Sequence, residues 1–494
     1  MHFKTLHNYS YILKQQEFSI YILGLLFLAN VISFSEIQAQ EKESMFSLES
    51  PYTNGFQKIQ SDSEGNLYAS GYFQEMLRWE GKELWIDNGG YFLAKMDSNY
   101  HLKWVIQLTA PVRDLQIVKD RLFVLGHFKG KLLFAKDTLQ SKGGFDSYLC
   151  EVSPKTGEII WKKQFSATSD ILAQSLTSEG NSLYILGHFE AEFVSDEVKF
   201  TPYYFKNAYL IRFNLEGKTQ WGKRLSGGHN SLTGVYGRKV EADSLGNVFV
   251  GGGMSGYADF EGETLRSSSE HFYGEGLVYN HDIFLARYRA DSGDLVWVKR
   301  LAQYADLQDI KADGKGSVYL AGYFQGCTSN PQNYGNAWFG NTQLQAQKMP
   351  SGEPSEDSFL AKISPLGNYI WLKHAQAETH NRGIALAVDA HQDLVFLTGV
   401  FEGSLSINKT EWTIQSPENH RQDLYWVCFR ANGAWVEGDF YGGSASEQVH
   451  TLVLRQNGEL ILSGRFSSEV TQGTQALARN NAFVLKIKNR VKNP

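Results

Sequence analysis

The residues most suggestive of chemistry lie in "NVFVGGGMSGYADF", from Asn247 to Phe260. There Gly251, Gly253 and Gly256 match G-x-G-x-x-G behind a strand-like run. A dinucleotide loop of this pattern must open a helix whose first amides face the pyrophosphate. The next residues, "YADFEGETLRSSS", are rich in turn formers and have no 3.6-residue period, so the motif lacks its context. Gly217-Lys218-Thr219 imitates the tail of a phosphate loop, but Arg212 stands where a further glycine is required. "DSEGN" (62–66) and "DSLGN" (243–247) lack the alternating acids of a calcium loop and read as turns in which Asp bonds nearby amides. The chain has no H-E-x-x-H, no paired CxxC and no His pair at i, i+4. No metal, cofactor or catalytic residue is expected from these patterns.

The elements that position side chains emerge from internal repeats. "GNLYASGYF" (65–73) recurs as "DRLFVLGHF", "NSLYILGHF", "GNVFVGGGM", "GSVYLAGYF", "DLVFLTGVF" and "ELILSGRF". Their shared glycines are Gly71, Gly126, Gly187, Gly252, Gly322, Gly399 and Gly464, spaced 55 to 77 residues apart. A second segment, of the form "FLAKISPLGNYIW", comes after each of the first six copies and ends at Trp104, Trp161, Trp221, Trp297, Trp371 or Trp435; the seventh is "FVLKIKNRVKNP". Each unit thus reads strand, turn, strand, insertion, strand, turn, strand. Aromatics at 14% and 47 glycines against 10 prolines suit many strands joined by tight turns. Seven four-stranded units predict an all-β, seven-bladed β-propeller.

The last unit ends early. In the six complete units Trp lies 10 to 13 residues after the first aromatic of the third strand, and counting 12 from Phe483 passes the final residue. The run "SMFSLES" (44–50) has no blade of its own, and Leu48 matches Leu108, Leu225 and Leu301 of complete fourth strands. An N-terminal strand is therefore expected to complete blade seven and remove two open sheet edges.

Before it, Lys4 and Lys14 precede the apolar run Phe18 to Phe34, then "SEIQAQ". This predicts a secretory signal over 1–39 and a propeller over 40–494, hence a secreted, periplasmic or envelope protein with no stable transmembrane span after cleavage. Three cysteines, Cys150, Cys327 and Cys428, make no disulfide framework. A formal charge of −6 argues against nucleic acid as a partner, and a monomer is expected.

The pattern "DSxGNxYxxGxF…DxFLAK…G…W" resembles the bacterial β-propeller repeats often called SBBP, over about residues 50–494. The resemblance implies an exported propeller and assigns no chemistry. "AKISPLGNYIW" is also similar to the tryptophan-docking repeats of quinoprotein propellers, which implies that Gly157, Gly217, Gly293 and Gly367 lock onto tryptophans between blades. Tyr100 holds that glycine position in blade one. Those quinone enzymes usually carry a vicinal disulfide, and no two cysteines are adjacent here.

The sequence offers two sets of ligand-binding candidates. The insertions between strands two and three are longest in blades four (29 residues) and five (34 residues). They carry Phe272, Tyr273, Asn333, Tyr334, Asn336 and Trp338, flat rings beside paired donors and acceptors that suit a glycan or a peptide. The residue after each signature glycine gives Tyr72, His127, His188, Tyr323 and Arg465, with Gly253 and Val400 in blades four and six. The expected function is a non-catalytic exported propeller binding a glycan or protein ligand on the blade four–five face. The alternative is a secreted hydrolase or lyase with an acid–base pair at the ring mouth, which Asp114, Asp170, Asp306 and Glu447, expected to precede first strands, could line.

Overall fold

A computed structural model describes residues 44–48 and 52–488 apart from short internal stretches, the longest of them 269–281. The signal expected over 1–39 and both Phe272 and Tyr273 lie outside the described residues. The fold is a seven-bladed β-propeller of four-stranded antiparallel blades. Blade one runs Asn54–Ser61, Leu67–Phe73, Gly90–Met96 and Leu102–Leu108 from the axis outward. Among the described residues the one helical element is a 3-10 turn, Pro331–Asn333, and no helix is long and apolar enough to cross a membrane.

Blade seven is composite. Its inner three strands are Glu447–Leu454, Glu459–Phe466 and Asn481–Lys488, and its fourth is Ser44–Ser47. Leu48 is buried and its N–H donates to the Ala482 carbonyl at 3.1 Å. Asn54 continues the join, its Oδ1 accepting from the Ala482 N–H at 2.7 Å. Phe46 stacks on Tyr100 with centroids 6.0 Å apart.

Each core cluster fills a seam between neighbouring blades. Tyr68, Leu93 and Trp104 of blade one, for example, meet Leu115, Val124 and Tyr148 of blade two. The seams are latched as the docking-repeat resemblance implies. Trp104, Trp221, Trp297 and Trp371 donate their indole N–H to the carbonyls of Pro154, Ala290, Pro365 and Ala431 in the next blade, at 2.9–3.1 Å. A Cβ on Gly367 would fall 3.2 Å from the Trp297 ring, and its φ of 75° favours glycine independently. Gly217, the glycine of the phosphate-loop imitation, sits in the same kind of turn against Trp161 with φ 77°. Trp297→Ala is expected to destabilise by about 2–4 kcal/mol through lost packing and the lost bond. Hydrogen exchange should localise the loosening to the blade four–five seam.

The signature glycine has a different cause. On every innermost strand the register slips by one residue, leaving Gln57, Arg113, Gln174, Arg238, Gln308, Ile384 and His450 as bulge residues. The residue before each bulge pairs with the glycine, as Leu307 does with Gly322. The bulge tilts the inner carbonyl over the glycine. A Cβ on Gly252 or Gly464 would lie 1.8 Å from the carbonyl oxygen of Tyr236 or Gln448, and one on Gly322 2.0 Å from that of Asp306. Gly252 thus lies in a strand, Asn247–Ser255, and its glycine-rich surroundings open no helix.

The insertions form hairpins that reach back to the preceding blade. Asn336–Phe339 with Thr342–Gln345, from blade five, adds to the outer strand Leu295–Gln303 of blade four. The hairpins of blades two, four and six extend blades one, three and five in the same way. These ladders pair the last one to three residues of each outer strand and so cover that end of its open edge.

Candidate functional site

The bulges aim side chains at the propeller axis. A cavity of about 500 Å³ is lined by residues of all seven innermost strands. Six of the seven bulge residues reach it, every one except Gln57. The residues just past the bulges form a second tier: Lys58, Asp114, Ser175, Lys239, Asp309, Ala385 and Thr451. Two residues further, Glu241 and Lys311 add charge to a third. The lining carries five cationic side chains, Lys58, Arg113, Arg238, Lys239 and Lys311, against three carboxylates. The sign is opposite to that of the chain, whose net charge is −6.

Most of these groups are engaged. Asp114 Oδ2 accepts the Leu176 N–H of blade three at 3.0 Å, and Asp309 Oδ2 accepts the Leu386 N–H of blade six at 2.8 Å. Ser175 and Thr451 bond the next blade's backbone at the same tier, so the axis itself is stitched. Lys311 pairs with Glu241 at 3.2 Å, and Lys239 lies 3.5 Å from Asp309. Burial disfavours the charge on Lys239 and Lys311, but the facing carboxylates outweigh it and raise both above the usual lysine value. Burial raises Glu241; Asp309 is also penalised by burial, but Lys239 and Lys311 hold it below the usual range. The Lys58 ammonium has no hydrogen bond or ion pair among the described residues. The Lys239 ammonium, and then burial, hold it at about 8.

Of the residues after the signature glycines, His127 and His188 contact the lining residues Arg113 and Gln174. His127 is buried; its Nδ1–H donates to the Ala173 carbonyl at 3.1 Å, and its Nε2 accepts from Arg113 at 3.0 Å. Burial and the guanidinium lower it to about 4, so it is neutral and serves to orient Arg113. His188 contacts the Gln174 amide at 3.3 Å. Tyr323 hydroxyl donates to Asp306 at 3.4 Å, and the Arg382 guanidinium lies over its ring at 4.9 Å. Tyr72 lies over Gly55, where a Cβ would come within 2.6 Å of the ring. Arg465 pairs in register with Gln448 at the start of the blade-seven innermost strand.

The blade-five insertion hairpin carrying Asn336 and Trp338 lies on the outer strand of blade four, away from the axis. Asn336 and Trp338 belong to the blade-five hairpin; Asn336 is buried, and Trp338 is half-buried against Tyr304, with centroids 6.2 Å apart. Tyr334 bonds Glu353, and Asn333 ends the 3-10 turn. Of the four acids named for the mouth, Asp114 lines the cavity. Asp170 accepts the Phe145 N–H at 2.8 Å, Asp306 bonds Tyr323, and Glu447 is fully buried.

Sequence reasoning missed Lys58, Lys239, Lys311, Arg113 and Arg238. A signal existed: the second tier lies 12 to 14 residues before each signature glycine. Its residue types differ from blade to blade, so it does not register as a repeat.

No family model matches this chain, and no curated protein does. Among solved structures, BamB from Moraxella catarrhalis aligns over 91% of this chain and 98% of that one, at 9% identity and a TM-score of 0.38. The hydrazine synthase of Kuenenia stuttgartiensis aligns over 90% and 98%, at 10% identity and 0.40. A Synechocystis apocarotenoid oxygenase variant aligns over 81% and 96%, at 10% identity and 0.35. Similarities this remote say nothing of a ligand.

Proposed function

We propose that the chain is an exported, non-catalytic binding propeller of the SBBP type that receives a polar ligand, a glycan or an extended peptide, at the mouth of its axial channel. One observation carries the reading: five bulges aim the polar side chains of Arg113, Gln174, Arg238, Gln308 and His450 into a cavity of about 500 Å³, within the size range of small-ligand sites. Neutral His127 and the Gln174–His188 contact support the lining from behind, which favours a preorganised site over a mobile one. The rim aromatics Trp338 and Tyr334 offer a second contact for a long ligand.

A glycan and peptide array probed with residues 41–494 tests this. Arg113→Ala with Arg238→Ala is expected to weaken the best hit at least about tenfold, the effect of losing one to two charge-assisted bonds. Trp338→Ala should weaken it less. The reverse order would move the site to the rim. The hydrolase or lyase reading has its own support in Glu241 and Asp309, two carboxylates of one channel whose proton affinities are pushed apart. Turnover of an array hit, abolished by Glu241→Gln, would favour it.

A further inference from the structure

We propose that the axial channel binds a tetrahedral oxyanion, sulfate or phosphate, between Lys58 and Lys239, with Arg113 and Arg238 on the side where the innermost strands begin. The reading deepens the binding function above and shares its channel, but it concerns a charge that is present whatever the larger ligand is.

Three observations converge. The first is the surplus of cations in the lining, two more than the carboxylates. Two of the three carboxylates already accept backbone amides of a neighbouring blade, and Glu241 is held by Lys311. Unbalanced charge inside a protein is unfavourable, and a bound dianion would balance this one.

The second is the placement of the two lysines. Lys58 belongs to blade one and Lys239 to blade four, three steps round a ring of seven, so they approach the axis from opposite sides. Lys239 is the largest single influence on Lys58, as two ammonium groups sharing one space would be. The Lys58 ammonium makes no hydrogen bond or ion pair within the described residues and feels Asp114 and Asp309 only through space, whereas Lys239 and Lys311 are each paired with an acid. Its three N–H donors are therefore available.

The third is the state of the guanidiniums. Arg113 bonds His127 and Arg238 bonds Gln308, both neutral partners that orient a guanidinium without cancelling its charge. Donors then converge from at least three blades. A planar carboxylate presents its two oxygens to one side, whereas a tetrahedral ion presents oxygens in four directions and meets donors from all round a ring. The ion could arrive free, or as an ester on the end of a glycan.

Calorimetric titration of residues 41–494 with sodium sulfate and with sodium phosphate, against chloride, reads the site directly. Saturable binding of about one ion per chain is expected, weakened at least about tenfold by Lys58→Met and by Lys239→Met. Lys131→Met, on an exposed rim hairpin, should leave it unchanged. Absence of saturable binding, or binding indifferent to both channel substitutions, overturns the proposal. Acylation of the unmutated protein near pH 8, mapped by mass spectrometry, guards against misfolded variants: sulfate should protect Lys58 and Lys239 at least about fivefold over Lys131. Equal labelling with and without sulfate also overturns it. A sulfated disaccharide and its unsulfated parent separate the sources. Tighter binding of the ester than of free sulfate assigns the ion to a glycan, and equal binding assigns it to the free anion. If inorganic sulfate binds through the two lysines while no array ligand does, the anion site stands and the glycan or peptide reading falls.

Discussion

Removal of residues 41–51 is expected to lower the unfolding midpoint by at least about 5 °C and to drive self-association. The strand Ser44–Ser47 is the outer strand of blade seven, and its loss leaves Asn481–Lys488 as an open edge. Leu48 is 1% exposed within a cluster that joins Phe56 and Phe92 of blade one to Ile461 and Val484 of blade seven. Phe46 packs against that cluster and onto Tyr100. Burying two such side chains contributes roughly 3–6 kcal/mol. For a cooperative unit of this size, each kcal/mol moves the midpoint by about 1 °C. The ladder and the seam between the first and last blades go with them. Thermal unfolding and light scattering of residues 52–494 against residues 41–494 measure both effects. An unchanged midpoint with a monodisperse monomer would sink this account of closure while leaving the blades intact.

Gly322→Ala should destabilise by about 3–5 kcal/mol, a large effect for one methyl group. The added Cβ would lie 2.0 Å from the Asp306 carbonyl oxygen, and that oxygen is backbone held in a ladder. Relief would require the bulge at Gln308 to flatten, which would withdraw Gln308 from the channel and strain the tier occupied by Asp309. Gly464→Ala, facing the Gln448 carbonyl at 1.8 Å, should behave alike. Gly126→Ala provides the contrast. Its nearest obstacle is the far end of the Tyr148 ring at 2.5 Å, a side chain rather than backbone, so a smaller loss is expected. Denaturant unfolding of the three variants gives the order. Equal losses at all three positions would mean that steric contact with the bulge carbonyl is not what the glycine avoids. In Gly322→Ala, weaker sulfate binding should accompany the loss of stability.

Much of the fold was legible in one dimension. The strand-two glycines and the terminal tryptophans recur because most blades solve the same two local problems: room beneath a tilted carbonyl, and a latch onto the next blade. Both leave a residue type at a fixed place, so they repeat in the sequence. The missing fourth strand was legible for the same reason, as a gap in a count. His127 and Tyr323 were legible as residues beside the repeated glycine, but not as supports, because their partners Arg113 and Asp306 come from a different strand.

The insertions mark one boundary. Their length and aromatic content suggested a loop face, yet the hairpins of blades two, four, five and six lie on the outer edges of the preceding blades. An open edge is satisfied by any strand that can reach it, and reach is a property of the assembled ring.

The sequence by itself determined the repeat number, the four strands per blade, the need for an N-terminal strand and the glycine and tryptophan positions, since each is a local requirement met once per unit. Only the tertiary structure decided what the axis holds. Lys58, Lys239 and Lys311 come from three different blades and lie up to 253 positions apart in the chain. Nothing local relates them: they share an environment because seven bulged strands meet at one line, and charges interact through the space that closure creates.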